Sequence, residues 1–209
     1  MPVFRERHVI DAFKIGTGPF VLTCMAVFHR WDSESAWLYL AMHGMYGVLW
    51  VLKGRIFPDR SWEQRLRARR GAFLVVGLAS YWLAPFLLTA RGHEAAPALG
   101  GACVAAFGAG VFLHFTADMQ KHIQLALRPG YLITGGLWRR VRNPNYLGEL
   151  LIYLSFAALS QQLAAFVVLA VAVAAEWLPK MRKKDASLAR YPEFAAYRAR
   201  TALLIPWVF

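Results

Sequence analysis

The sequence predicts an all-α, polytopic integral membrane protein, with about four full transmembrane helices plus a helical hairpin and a cytoplasmic C-terminal tail. Three observations carry this. Of the 209 residues 58% are hydrophobic and the mean hydropathy is +0.38. Those residues come in long blocks rather than at a helical or strand period, which fits a bilayer as solvent. Finally, 21 of the 24 lysines and arginines fall in segments that alternating crossings place on one side.

Four blocks have the ~17–25 apolar residues a hydrocarbon core requires: Val9–Phe28, Ser35–Leu52, Gly71–Ala90 and Ala96–Phe115. The first carries Asp11 and Lys14 near its start and Pro19 in its middle. Its two charges are expected to snorkel or pair at the interface. A fifth stretch, Tyr146–Leu178, would reach about 50 Å as one helix and is slightly short for two full crossings. The polar triplet Ser160-Gln161-Gln162 divides it, so a short hairpin is expected that dips into or barely crosses the membrane.

The basic residues set the orientation. Arg5 and Arg7 precede the first helix. Seven basic residues follow the second helix, five follow the fourth and seven lie in the tail. Only Arg30 and Arg91 fall on the other side, and Lys14 lies inside the first helix. Both termini are therefore expected in the cytoplasm, in a bacterial inner membrane or an endoplasmic reticulum. A single crossing at Tyr146–Leu178 would put the basic tail outside.

The same placement bears on partners. A net charge of +12 distributed between apolar blocks is not a nucleic-acid footprint. Cys24 and Cys103 sit inside apolar blocks, with no spacing that suggests a disulfide or a metal site. The N-terminus "MPVFRERHVIDAFKIGTG" lacks an apolar core and a small-residue cleavage site, so no cleaved signal peptide is expected. The chain reads as one domain, residues 1–209, with no internal repeat.

The densest pattern is "HFTADMQKHIQLALRPGYLITGGLWRRVRNPNYLGE", from His114 to Glu149. Its plainest reading is a positive-inside loop, a turn with an Asn cap, and Pro144 in the first turn of a helix. Glu149 calls for more, because it faces the apolar run "LLIYLSFAAL". A carboxylate entering a membrane needs a partner and counts as a site candidate. Glu176, at the far end of the hairpin, is a second one. Arg140 and Arg142 are the expected partners of either.

"RPGYLITGGLWRRVRNPNYLGE", together with the tail "KKDASLARYPEFAAYRARTALLIPWVF", resembles the superfamily of steroid 5-alpha-reductases and sterol reductases, nearest its uncharacterised steroid-reductase-like branch. The likeness covers about the last hundred residues, the expected cofactor half at about 114–209. It rests on Asp118, "GGLW", "RNPNYLGE", Tyr191-Pro192 and the terminal "LIPWVF". The resemblance implies NADPH held between hairpin and tail, with hydride delivered to a conjugated C=C bond. It implies His114 and Asp118 as cofactor contacts ahead of the loop, and Asn145, Tyr146 and Glu149 as the group beside them. Lys121, Arg140, Arg142, Lys180, Lys184, Arg190 and Tyr191 complete the expected cofactor site, since a dinucleotide's phosphates need cationic partners. Lys180 and Lys184 stand near where steroid reductases place a histidine and a tyrosine, and the ketone-holding carboxylate–tyrosine pair of those enzymes has no match.

The chain is distantly similar, too, to isoprenylcysteine and phospholipid methyltransferases, which use S-adenosylmethionine. Those carry "R-H-P-x-Y-x-G" and, beyond the hairpin, two adjacent glutamates. Here Asn143 stands for the histidine and Trp177 follows Glu176. The expected activity is NADPH-dependent reduction of a lipophilic substrate. A methyltransferase and a non-catalytic lipid-binding protein are the alternatives. His43, Tyr46 and Tyr81 are polar groups on apolar helices, for which a helix–helix hydrogen bond is the plain reading. Tyr46 is the candidate proton donor, with His43 one turn before it and Glu149 as the third catalytic candidate.

Overall fold

A computed structural model describes residues 4–59 and 62–207. Arg60 of the basic connection, and Val208 and Phe209 of "LIPWVF", lie outside them. The described residues form helices α1 (Glu6–Val27), α2 (Glu34–Ile56), α3 (Ala68–Ser80), α4 (Leu83–Arg91) and α5 (Pro97–Leu127). They continue with α6 (Pro144–Ser160), α7 (Leu163–Ala172), α8 (Leu178–Leu188) and α9 (Phe194–Ala199). Among the described residues five helical stretches are long and apolar enough to cross a membrane: Glu6–Val27, Glu34–Ile56, Ala68–Arg91, Pro97–Leu127 and Leu163–Leu188. Val76, Phe112, Leu163 and Val171 are more than half exposed. Such surfaces suit lipid contact and would be costly in water.

Local chemistry explains where the helices start, bend and stop. Ser33 caps α2, its hydroxyl accepting from the Ala36 amide at 3.1 Å. α3 and α4 form one span interrupted at Tyr81–Trp82, because Pro85 has no N–H to give the Tyr81 carbonyl. The second hairpin arm contains a π segment, Val173–Trp177, between α7 and α8. Pro179 cannot donate to the Ala175 carbonyl, and the Leu178 amide reaches back to Val173 instead.

The hairpin differs from expectation in length. Its arms extend beyond Tyr146–Leu178, to 17 residues in α6 and 26 in Leu163–Leu188, about 25 and 39 Å. The turn is at Ser160–Gln162, as the sequence expects, with Gln161 at φ +52 and Ser160 Oγ accepting from the Gln162 amide. α5 also runs past the expected Phe115 for a further three turns, to Leu127.

The chain divides into two compact units, one of Met1–Phe107 with Tyr153–Leu169, the other of Gly108–Ile152 with Ala170–Phe209. In the first, α1 packs along α2 and against α3 and α4. The two long helices approach closely because small residues meet: the Gly18 and Gly44 backbones are adjacent, and a Cβ at Gly47 would come 2.7 Å from the Lys14 carbonyl carbon. The N-terminal segment pairs with the connection after α2, through Glu6 N to Gln64 O at 3.1 Å and Leu66 N to Phe4 O at 2.9 Å. Arg5 and Arg7 hold Glu63 there, and the Arg5 hydrogen bond keeps its carboxyl below the usual range.

In the second unit the tail folds back on the connection after α5, with Arg142 N to Ala202 O at 2.9 Å and Ala202 N to Arg140 O at 3.0 Å. A small core of Ala117, Leu132, Trp138, Phe194 and Tyr197 closes this layer. The "GGLW" turn is clamped by Gln120, which donates to Gly135 O and accepts from Leu137 N. Gly136 takes φ +59 there, and a Cβ would strike the Gln120 side chain.

Candidate functional site

In the second unit, α5 presents Gly110, His114, Asp118 and Lys121 at helical spacing. α6 meets this face at Gly148. A Cβ on Gly148 would lie 2.6 Å from the Gly110 oxygen, and one on Gly110 2.7 Å from the Gly148 oxygen. Backbone therefore touches backbone, and the polar groups on either side of the crossing converge. His114, nearly fully buried, has Nδ1 3.0 Å from the Asn145 carbonyl and Nε2 3.9 Å from Asp118 Oδ2. Asn145 Oδ1 is buried with no hydrogen-bond partner among the described residues. Glu149, one turn further along α6, is half-buried. Tyr146 packs its ring on Trp177, 5.5 Å between centroids.

The loop arginine and asparagine bind the tail. Arg142, buried, shares its Nε–H between the two Asp185 oxygens at 3.0 and 3.3 Å, and its Nη1 donates to the Arg198 and Thr201 carbonyls. This corrects the expectation that Arg142 partners Glu149 or Glu176, because Asp185, on the face of α8 turned toward the loop, takes its Nε–H and the tail carbonyls take Nη1. Glu176 is instead held by Lys180 at 2.5 Å, one turn away. Asn143, fully buried, donates to Leu203 O at 2.9 Å and accepts from Lys184 Nζ at 2.9 Å. Lys184 also donates to Arg142 O, and it feels the charges of Lys121, Asp118 and Asp185.

Beside this clamp lies a cleft of about 1000 Å³. Arg139, Arg140, Arg142, Arg182, Arg198 and Arg200 line it, with Asp185 the one carboxylate among the described residues and Phe194 and Trp207 as aromatic lining. Arg140 sits 5.5 Å over the Trp207 ring. Burial pushes the Tyr197 hydroxyl well above its usual 10, and it donates to Trp138 O at 2.8 Å.

Of the expected cofactor residues, the fold gathers His114, Asp118, Lys121, Arg142, Asn145 and Lys184 around the α5–α6 crossing and its clamp, with Arg140 on the cleft. Lys180, one turn before Lys184 on α8, is paired with Glu176. Arg190 donates to Ser187 Oγ and to the Tyr191 hydroxyl at the surface, while Tyr191 packs against the core of Ala117, Trp138 and Tyr197. Sequence reasoning missed Gly110, Gly148, Asp185, Arg198 and Arg200. Small residues at helical spacing from His114 were the available signal for the glycines.

In the first unit His43, buried, places Nδ1 3.1 Å from the Tyr39 hydroxyl and stacks on Phe156 at 4.0 Å. Its hydrogen bond thus runs to Tyr39 rather than to Tyr46, whose fully buried ring is 6.5 Å away. Lys14 is 5% exposed, so its ammonium is held inside the helix packing. It donates to the Tyr153 hydroxyl at 2.6 Å, with Nζ 4.3 Å above the Tyr46 ring and 4.6 Å above Trp50.

Long apolar helices around buried polar side chains, with a basic tail locked to the loop, define a polytopic membrane protein. The chain belongs to the family described as protein of unknown function DUF1295, a steroid 5-alpha-reductase-like family, which it matches over residues 59–201. It is also 38% identical over 76 residues to the cobalt-zinc-cadmium resistance protein CzcN of Cupriavidus metallidurans. That match covers 36% of this chain and spans about a third, 35%, of the relative's length.

Proposed function

We propose that this protein is an NADPH-dependent membrane reductase of a C=C bond in a lipophilic substrate drawn from the bilayer. The observation that carries it is the convergence of His114, Asp118 and Asn145 at the Gly110–Gly148 crossing, beside a cleft lined by arginines. The residues fit a reduced dinucleotide. Asn145 Oδ1 is a buried acceptor in need of a donor, which a nicotinamide carboxamide provides. Arg139, Arg140, Arg182, Arg198 and Arg200 offer guanidinium groups suited to phosphates. Bound NADPH supplies the hydride.

The chain's own residues do the rest. His114 is fixed through the Asn145 carbonyl and Asp118, which orients the imidazole edge of the site. Arg142, Asn143 and Lys184 hold the tail in place and so shape the cleft. Glu149 supplies a carboxylate that orients the cofactor. In the first unit, Tyr46 is the proton donor the sequence nominates.

Mass spectrometry of nucleotide copurifying in mild detergent tests the reading. NADPH or NADP⁺ is expected, and Glu149→Gln, which keeps volume and removes charge, should lose most of the affinity while remaining folded. Copurifying S-adenosylmethionine would replace the reductase with a methyltransferase. Absence of any nucleotide, with no NADPH binding on titration, would leave a lipid-binding protein.

A further inference from the structure

The cleft of the second unit gathers one sign of charge from three segments. Arg139 and Arg140 reach it from the loop, Arg182 from α8, Arg198 from α9 and Arg200 from just beyond it. Among the described lining residues Asp185 is the one carboxylate, and both of its oxygens accept from Arg142. Five guanidinium groups therefore face one space whose own acid is engaged elsewhere. Like charges raise one another's energy, and an anion that enters is drawn by all of them at once. The frame that holds them is fixed by the Val141–Ala202 bridge between loop and tail and by the Arg142 clamp.

The rim of the cleft is apolar. Trp207 lines it and is 85% exposed, with Arg140 over its ring at 5.5 Å, and Ile205, two residues before it, is 40% exposed. Exposed tryptophan beside arginine is the composition of a membrane–water interface. The level agrees. Arg182 stands one turn past Leu178, where the apolar run of this arm ends. That is about 6 Å along the helix, within the headgroup region that flanks a hydrocarbon core.

We propose that this cleft seats a phospholipid carrying two phosphates, its headgroup among the five arginines and its acyl chains leaving past Ile205 and Trp207, and that the lipid competes there with the phosphates of the dinucleotide. The competition rests on the reductase reading above; the lipid site does not. The number of phosphates follows from the arginines. A guanidinium grips a phosphate through two parallel N–H groups. One phosphodiester has two unesterified oxygens, too few for five such forks, and a second phosphate doubles the supply. The apolar rim separates a lipid from a soluble anion, which has nothing to place on it.

The test titrates tetraoleoyl cardiolipin, dispersed in detergent, into the full chain without nucleotide. Dioleoyl phosphatidylglycerol, dioleoyl phosphatidylcholine and inorganic pyrophosphate form separate arms, and bound lipid is counted by native mass spectrometry. Cardiolipin should saturate at a single lipid per chain, phosphatidylglycerol should bind more weakly and phosphatidylcholine should not bind. Arg182→Gln and Arg200→Gln should each weaken cardiolipin about fivefold, and Trp207→Ala should weaken it as well. Lys183→Gln, next to Arg182 but outside the lining, should bind as the parent does. An equal loss in Lys183→Gln would reduce the effect to undirected attraction by the basic tail and overturn the site. Displacement of cardiolipin by an equal concentration of pyrophosphate, equal binding of the two anionic lipids, or no saturable binding would overturn it too. NADPH titration on the same samples separates the two readings. Saturating cardiolipin should weaken NADPH, and an unchanged NADPH affinity overturns the competition. A parent that binds cardiolipin through Arg182 and Arg200 but no NADPH refutes the reductase and leaves the lipid site standing.

Discussion

Replacing Gly148 by alanine should disable the proposed cofactor site through a single methyl group placed outside it. The new Cβ would stand 2.6 Å from the Gly110 oxygen and 2.9 Å from His114 Cα. Restoring an ordinary 3.4 Å contact to that oxygen requires α5 and α6 to separate by about 0.8 Å. The neighbours are backbone atoms of two helices, so no side chain can yield instead. A displacement of that size takes the 3.0 Å approach of His114 Nδ1 to the Asn145 carbonyl out to about 3.8 Å, beyond a hydrogen bond. Overpacking costs about 1–3 kcal/mol and the lost hydrogen bond about 1 kcal/mol more. Titration of NADPH by fluorescence, with thermal unfolding in the same detergent, measures both effects. Gly148→Ala should weaken NADPH at least about tenfold, the equivalent of 1.4 kcal/mol. Gly108→Ala, two residues from Gly110 on α5 but with nothing within 4 Å of its added Cβ, should bind as the parent does. Parent-like affinity in Gly148→Ala, or equal losses in both variants, would refute the argument that the crossing assembles the site.

The two tail lysines should separate. Lys184→Met strips the donor from Asn143 Oδ1 and the Arg142 carbonyl and should cost about 1–3 kcal/mol of stability. Lys180→Met breaks a pair near the surface and should cost a few tenths, both read as unfolding midpoints. The pH dependence of those midpoints should reveal Tyr197. Its folded hydroxyl is raised above the unfolded value, so its contribution is complete below about pH 10 and is lost as pH climbs beyond that; Tyr197→Phe should flatten the alkaline fall. For orientation, a reporter active only in the cytoplasm should give signal when fused at the C-terminus and after Arg65. A silent C-terminal fusion beside an active loop fusion would mean the hairpin makes one crossing.

The membrane helices were legible because hydropathy is a property of contiguous sequence. Every expected span lies largely inside an observed one. α5 exceeded its expected end because "TADMQKHIQLAL" is helical but polar, and a length set by apolar residues stops where they stop. The hairpin turn was legible from Ser160-Gln161-Gln162, whereas the π segment was not, since it answers to Pro179 within a run that reads as plain helix. The site was legible only where a motif kept its residues together. "RNPNYLGE" drew attention to Asn145 and Glu149, but the partners of that stretch are remote: His114 is 31 positions from Asn145, and Asp185 is 43 from Arg142. Lys14 and Tyr153 are 139 apart, and no local spacing encodes their meeting. The residue types were a usable signal nonetheless, as an ionisable side chain inside a span always asks for a partner.

The π segment at Val173–Trp177 also gives the arm slack in its length. A π turn holds one more residue than an α turn, so deleting a single residue there would restore α-helical winding and leave the rest of the arm close to its present phase. Lys184 and Asp185 would still face Asn143 and Arg142, and the tail would keep its lock on the loop. The α-helical turns between Leu178 and Lys184 have no such slack: a residue lost there would rotate Lys184 and Asp185 by about 100° and draw them back by about 1.5 Å. Changes of length in this arm are thus absorbed where the helix is widened, and break the clamp where it is not.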